Sequence, residues 1–347
     1  MTDAELTAGL DEKLDKRVFS AAQLESLSRC GFQFFARRIL QIAEVPDIET
    51  SLSAVERGAV LHKILYRFYA ELSKMRRLGN AKDELDLLLS VGRDVLDGLG
   101  IGSDGSFGRD LFEIERETIL GTEDVPGTLR LFLAKVQSKL SEYGFSPENF
   151  EVGFGMKSGD GKVVTDPVEI GGVALQGKID RIDSNTNGLT IFDYKTSAAN
   201  ATHRDVIRDK ISPQLIIYMD ALNKMPGTAA GRVSGAAFIS INRQRLLDAD
   251  DGAKLIEFII RDENGELKFN KNYEITKKTP GAAGYPTDIA GLLKETEDFV
   301  KGKVAEARSG RFNLTVFPRE KVCKFCPYLE ACRIALTGES IESEGSA

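Results

Sequence analysis

Cysteine and histidine are scarce in this 347-residue chain, with four of the first and two of the second. Four cysteines over such a length exclude a scaffold built on disulfides. Long apolar runs are missing too. None approaches the roughly 20 residues that a membrane-crossing helix needs. The opening, MTDAELTAGLDEKLDKR, mixes both charge signs and lacks the apolar centre of a secretory leader. A cytoplasmic protein is the expectation. An excess of positive charge is also lacking: 46 Lys and Arg stand against 53 Asp and Glu, a formal net charge of −7. That excludes gross coating of nucleic acid. It leaves open an enzyme acting on nucleic acid, because local patches set phosphate binding. Three basic clusters occur, RDVIRDK (204–210), NRQR (242–245) and KFNKNYEITKK (268–278), and they read as ordinary solvated surface. What is plentiful is ordinary: 42% hydrophobic and 29% charged residues suffice for a globular core.

Along the chain, residues 1–18 read as a flexible lead-in. Ser20 with Gln23 fits a capping box opening SAAQLESLSRCGFQFFARRIL, where Leu24, Leu27, Phe34 and Phe35 predict a largely buried helix. Ser53 with Glu56 opens a second helix, in which Leu61, Leu65, Phe68 and Leu72 recur at helical spacing. Gly58 within that helix implies a close approach by another segment. Helices are also predicted over 83–98 and 126–143, with a flexible loop at 99–110. From about residue 150 the pattern turns to strands: FEVGFGM, VALQGKIDRID and LTIFDYKTS, the last two joined at the hairpin signal Asn187-Gly188. SPQLIIYMDALNK returns to helix, with Ser212 as N-cap and Pro213 at the first helical position. GRVSGAAFISI and KLIEFIIRD predict strands, ENGE (263–266) a turn into another short strand, and 287–308 a helix. The expected organisation is a helical region at 19–145 carrying Cys30 and His62, an α/β core at 146–310, a cysteine tail at 311–335, and a disordered acidic end at 336–347. The order of elements predicts an α/β or α+β core with an N-terminal helical subdomain.

In IFDYKTS (191–197), Asp193 and Lys195 stand two apart and so share one face of a strand. Alone, such a pair is commonly a weak surface ion pair. The preceding strand carries Asp180 in GKIDRID, and the predicted hairpin brings both carboxylates to one end of a sheet. Two carboxylates so close repel unless a cation lies between them. Oxygen ligands with water completing the shell suit Mg²⁺ or Mn²⁺. Lys195 would position or deprotonate a water, or stabilise charge on a phosphate oxygen. Together these parts suffice for phosphodiester hydrolysis.

GKIDRID followed by IFDYKTS resembles the PD-(D/E)xK nuclease superfamily, with its restriction-endonuclease-like mixed sheet, and most closely its RecB/AddB-type branch. Three further stretches agree with that branch. ERGAVLHKILYRFY resembles its helix bearing a metal-ligand histidine, here His62. PQLIIYMDAL resembles its Q-x-x-x-Y motif, here Gln214 and Tyr218, one turn apart. SAAQLESLSRCGFQFFARRIL resembles the opening of the AddB nuclease domain. The resemblance covers about residues 19–335. It implies that His62, Asp180, Asp193 and the backbone carbonyl of Tyr194 bind Mg²⁺ or Mn²⁺, and that Asp180, Asp193 and Lys195 carry catalysis. Gln214 and Tyr218 would support the site or the DNA strand. Glu151 falls where relatives often carry an acidic strand residue. No proline precedes Asp180, unlike the superfamily's nominal pattern.

Cys323, Cys326 and Cys332 have the spacing C-x₂-C-x₅-C, and Cys30 is the remaining cysteine. Zinc ribbons use two paired knuckles instead. A distant cysteine with a C-terminal trio resembles the iron–sulfur staple of AddB-type nucleases, which implies a [4Fe–4S] cluster on Cys30, Cys323, Cys326 and Cys332. The resemblance implies a DNA exonuclease acting on single-stranded or unwound ends in double-strand break repair, with an AddA/RecB-type helicase as partner or a fused helicase region. Three rivals remain: a CRISPR-associated spacer-processing nuclease of the same fold, a non-catalytic DNA-end-binding module, and a zinc-stapled protein. GVALQGKI (172–179) matches G-x-x-x-x-G-K, but Ile179 follows where a phosphate loop needs Ser or Thr, so ATP binding is rejected. His203 reads as surface.

Overall fold

The computed structural model describes residues 3–42, 52–99, 108–156, 165–196, 213–228, 232–261, 265, 267–270, 288–315, 322–323 and 326–332. Eight strands make one mixed sheet: β1 (Phe19–Ser20), β2 (Ser146–Phe154), β3 (Val168–Ile170), β4 (Val173–Asn185), β5 (Gly188–Lys195), β6 (Val233–Ser240), β7 (Ile256–Arg261) and β8 (Leu267–Asn270). The hydrogen-bonded path runs β1-β4-β5-β6-β7-β8, and β2 and β3 also pair with β4. β4 is the organiser. Its first residues pair with β1 and β3, and its remainder pairs with β2 and β5. β5 and β6 are parallel, so the chain must cross over between them.

Helices cover both faces. They are α1 (Asp3–Asp15), α2 (Ala21–Arg29), α3 (Gly31–Phe34), α4 (Ala54–Lys74), α5 (Leu85–Asp97), α6 (Gly108–Leu120), α7 (Thr128–Leu131), α8 (Ser138–Glu142), α9 (Gln214–Lys224), α10 (Arg243–Asp248), α11 (Ile289–Arg308) and α12 (Leu329–Cys332). Strand alternation sorts the core into two clusters. Ile191, Ala236, Phe238 and Ile259 pack with α2, α9 and α11. Phe192, Tyr194, Ala237, Ile239 and Phe258 pack with α4 through α8. The result is a helix–sheet–helix sandwich, the mixed α/β architecture expected. No helix among the described residues is long and apolar enough to cross a membrane.

Both capping boxes form, Ser20 with Gln23 and Ser53 with Glu56. Leu61, Leu65, Phe68 and Leu72 are buried as their spacing predicts. Four features depart from the sequence reading. The lead-in is not loose over its length: residues 3–15 form α1, which lies on α11, with Leu14 buried and Arg308 bonded to Asp11 at 2.5 Å and to Asp15 at 2.8 Å. β1, β3 and α6 carry no signal that the sequence reading caught. α9 starts at Gln214 with Pro213 as its cap residue, and Ser212 lies outside the described residues. The NRQR cluster opens α10, where the Asn242 side chain accepts from the Arg245 N–H. The clusters at 204–210 and 271–278, His203, the loop at 100–107 and the end at 333–347 lie outside the described residues.

The tail returns to the segment beside Cys30. Phe312 packs on Phe35 at 4.8 Å, and the Phe32 N–H donates to Asn313 O. Gln33 Nε2 lies 3.8 Å from Cys326 Sγ, and the Tyr328 hydroxyl donates to Ile42 O at 2.9 Å. Gly31 permits this approach, because a Cβ there would meet Phe312 C at 2.8 Å.

Candidate active site

The site begins with register. Across the β4–β5 hairpin Arg181 lies opposite Phe192, so one step further along the same antiparallel register Asp180 falls beside Asp193. On the other side of β4, Phe150 lies opposite Arg181 and Val152 opposite Ile179, so Glu151 falls beside Asp180. Three neighbouring strands thus set Glu151, Asp180 and Asp193 in a row. Glu151 has φ of 53°, in the left-handed region that a non-glycine strand residue rarely adopts. Such backbone strain concentrates at functional positions.

Two helices close on the row. From α4, His62 Nδ1 comes within 3.2 Å of Asp180 Oδ1. One turn earlier, Gly58 lets the helix meet the end of β5: a Cβ there would sit 3.3 Å from Thr196 Oγ1, the close approach expected of it. The other Asp180 oxygen, Oδ2, accepts from the Tyr194 N–H at 2.9 Å. From α9, Gln214 bridges the remaining pair. Its Nε2 donates to Asp193 Oδ1 at 2.8 Å, and its Oε1 accepts from Lys195 Nζ at 2.8 Å. Lys195 Nζ lies 2.6 Å from Asp193 Oδ2. Gln214 Nε2 also reaches the Tyr218 hydroxyl, at 3.3 Å. The lysine is therefore held by three contacts, counting the Phe238 ring 4.8 Å away.

The electrostatics follow from burial. Burial pushes the Asp193 carboxyl up to about 6 against the pull of Lys195, and the neighbouring Asp180 adds to the push. At His62, burial disfavours the charged ring, but the hydrogen bond and charge of Asp180, with Asp193 and Glu151 behind it, raise its pKa above the ordinary value. A cation is what this arrangement calls for. Among the described residues, His62, Glu151 and Asp180 are the group whose donor atoms all lie within 4.8 Å of one another. One imidazole nitrogen and two carboxylate oxygens fit a divalent ion that fills its remaining positions with water.

The structure thus gathers His62, Glu151, Asp180, Asp193, Lys195, Gln214 and Tyr218. Glu151 stands nearer the centre than the sequence reading put it, within the donor group, while Asp193 turns toward Lys195 and Gln214. Two features went unread in the sequence. Lys178 pairs with Glu151, and it sits two residues before Asp180 on the same face of β4. Arg181 and Asp183 form a fully buried two-bonded pair at 2.6 and 2.7 Å, with Arg181 also donating to the Tyr69 hydroxyl at 2.6 Å. The alternation of GKIDRID was the available signal for both. The expected four-cysteine set has no such support. Among the described residues the cysteines are not gathered into a ligand group of the kind a single ion requires.

A family model of the PD-(D/E)XK nuclease superfamily matches residues 18–333, and the chain belongs to that superfamily. It is similar to an ATP-dependent helicase/deoxyribonuclease subunit of Lactococcus lactis subsp. cremoris, 22% identical over 95% of this chain and 34% of the relative. The protein of the same name from Listeria innocua is 26% identical over 69% of this chain and 21% of the relative. The exonuclease/helicase subunit RexB of another Lactococcus lactis strain is 22% identical over 95% of this chain. The chain spans about a third or less of the length of these curated relatives.

Proposed function

We propose that the chain is a Mg²⁺- or Mn²⁺-dependent deoxyribonuclease that digests DNA from an end. In this reading it is the nuclease part of a helicase–nuclease in double-strand break repair and acts in the cytoplasm. The observation that carries the proposal is the carboxylate row Glu151–Asp180–Asp193, met by His62 on one side and Lys195 on the other. His62, Asp180 and Glu151 would hold the ion, with Asp193 and the Tyr194 carbonyl completing its protein contacts. A bound divalent ion supplies a Lewis acid at the phosphoryl oxygen and an acidified water. Lys195 orients the attacking water and offsets negative charge building on the phosphate. Gln214 fixes Lys195 and Asp193 relative to each other, and Tyr218 anchors Gln214. The names of the relatives support DNA as substrate and a helicase as partner or in the same polypeptide; we read that helicase as AddA/RecB-type.

The test is cleavage of end-labelled single-stranded DNA with Mg²⁺, the chain beside Lys195→Ala and Asp193→Ala. The expected result is cleavage by the unaltered chain alone, with losses of at least about 100-fold in each variant. Equal cleavage by all three removes the site assignment, and binding without cleavage favours an end-binding module. A [4Fe–4S] staple on Cys30, Cys323, Cys326 and Cys332 is part of the proposal, supported only by the tail's return to the Cys30 segment. Iron and acid-labile sulfide in anaerobically purified protein test it, and iron-free protein that folds removes it.

A further inference from the structure

α4 carries more than His62. Val55, Ala59, His62 and Tyr66 recur at spacings of four, three and four, so they lie along one stripe of the helix. Val55 is 83% exposed and Tyr66 43% exposed, and Ala59 is exposed as well. Lys63 and Arg67, one turn apart, run beside the stripe and are also exposed. Other cations of this helix are tied down: Arg57 to Glu115, and Lys74 to Glu71. Lys63 and Arg67 have no such carboxylate partner among the described residues. An apolar and aromatic strip flanked by these two cations therefore leads directly from the ligand histidine across open surface.

We infer that this face of α4 is the track along which a single DNA strand runs to the carboxylate row, with a base stacked on Tyr66 and backbone phosphates on Lys63 and Arg67. The inference rests on the nuclease reading above and adds the surface that holds the strand. The physical need is plain. Glu151, Asp180 and Asp193 repel a phosphodiester, so the strand must be held by positive charge beside the row until its scissile phosphate arrives. Lys63 and Arg67 supply that charge next to His62 in a chain whose formal net charge is −7. The aromatic element selects the form of the nucleic acid. A duplex keeps its base faces stacked inside, whereas an unpaired strand offers them to a ring.

The test is binding of a fluorescent single-stranded oligonucleotide, read by anisotropy in EDTA so that no cleavage intervenes. Tyr66→Ala is expected to weaken binding about tenfold, Tyr66→Phe to retain it, and Tyr66→Ala to leave duplex binding unchanged. Lys63→Ala with Arg67→Ala is expected to weaken binding and flatten the log affinity–log salt slope by about 1.4. All these side chains are solvent-facing, so the fold, checked by circular dichroism, should persist. An unaltered chain that cleaves DNA, beside variants that bind as it does, overturns the inference and spares the nuclease reading. Equal losses on duplex and single strand overturn base stacking and with it the inference. A chain that neither binds nor cleaves any DNA overturns both.

Discussion

Asp193 carries the tension of the site in one side chain. Burial raises its folded-state pKa to about 6, whereas an unfolded aspartate titrates near 3.9. The folded protein therefore binds this proton more tightly. Stability from this group is fully present below about pH 4 and is lost as pH rises through 6. At pH 8 the ionised carboxylate is a standing cost in metal-free protein. Asp193→Asn should abolish cleavage yet stabilise the metal-free chain by roughly 1 kcal/mol at pH 8. The gain should shrink toward pH 4, and thermal melts across that range check it. His62 has the same sign, since its raised pKa also makes the folded state hold a proton more tightly. Protons therefore compete with the ion. Calorimetry with Mn²⁺ should find affinity falling from pH 8 to pH 6, with proton release that varies with the buffer. Gly31 makes a different demand. Gly31→Ala should cost about 1–3 kcal/mol in urea unfolding, because the new methyl meets the Phe312 and Asn313 backbone.

At the scale of elements, β4 does two jobs with alternate residues. Asp180 serves the carboxylate row, while Arg181 and Asp183 lock the strand to α4 through Tyr69 and to the segment between α7 and α8 through Gln137. Removing one member of a buried pair strands the other. Arg181→Met should therefore destabilise by about 3–5 kcal/mol, and pairing it with Asp183→Leu should recover most of the loss in denaturant melts. These elements also mark what the sequence made legible. Capping boxes, the β4–β5 hairpin, and the one-turn spacing of Gln214 and Tyr218 depend on neighbours in the chain, and all of them were readable. Glu151's positive φ was not, because nothing in a glutamate announces a left-handed backbone. β1 was not either: two residues make a strand only because Phe19 and Ser20 meet Leu175 and Gln176 far along the chain.

For the whole molecule the hidden information is long-range contact. α1 reads as a polar lead-in until α11 is laid beside it, with Arg308 reaching Asp11 and Asp15. Deleting residues 1–16 should lower the melting temperature by several degrees while leaving cleavage by the folded fraction intact, since α1 packs on α11. The cysteine tail shows the opposite limit. Its return to the Cys30 segment is visible in the structure, whereas the spacing of its thiols alone could not say how they gather.

The row of carboxylates also has an order of assembly. Asp180 and Asp193 come together through a hairpin of adjacent strands, a local event on the microsecond scale. His62 lies more than 100 residues earlier and reaches Asp180 only through the docking of α4 on the sheet. During synthesis the helix emerges first and waits for its strand partners. The acidic half of the site is thus expected to form before its histidine half, with tight metal capture coinciding with docking of the helical layer. A metal-sensitive dye in a refolding mixture would register the last large step of folding, not the first.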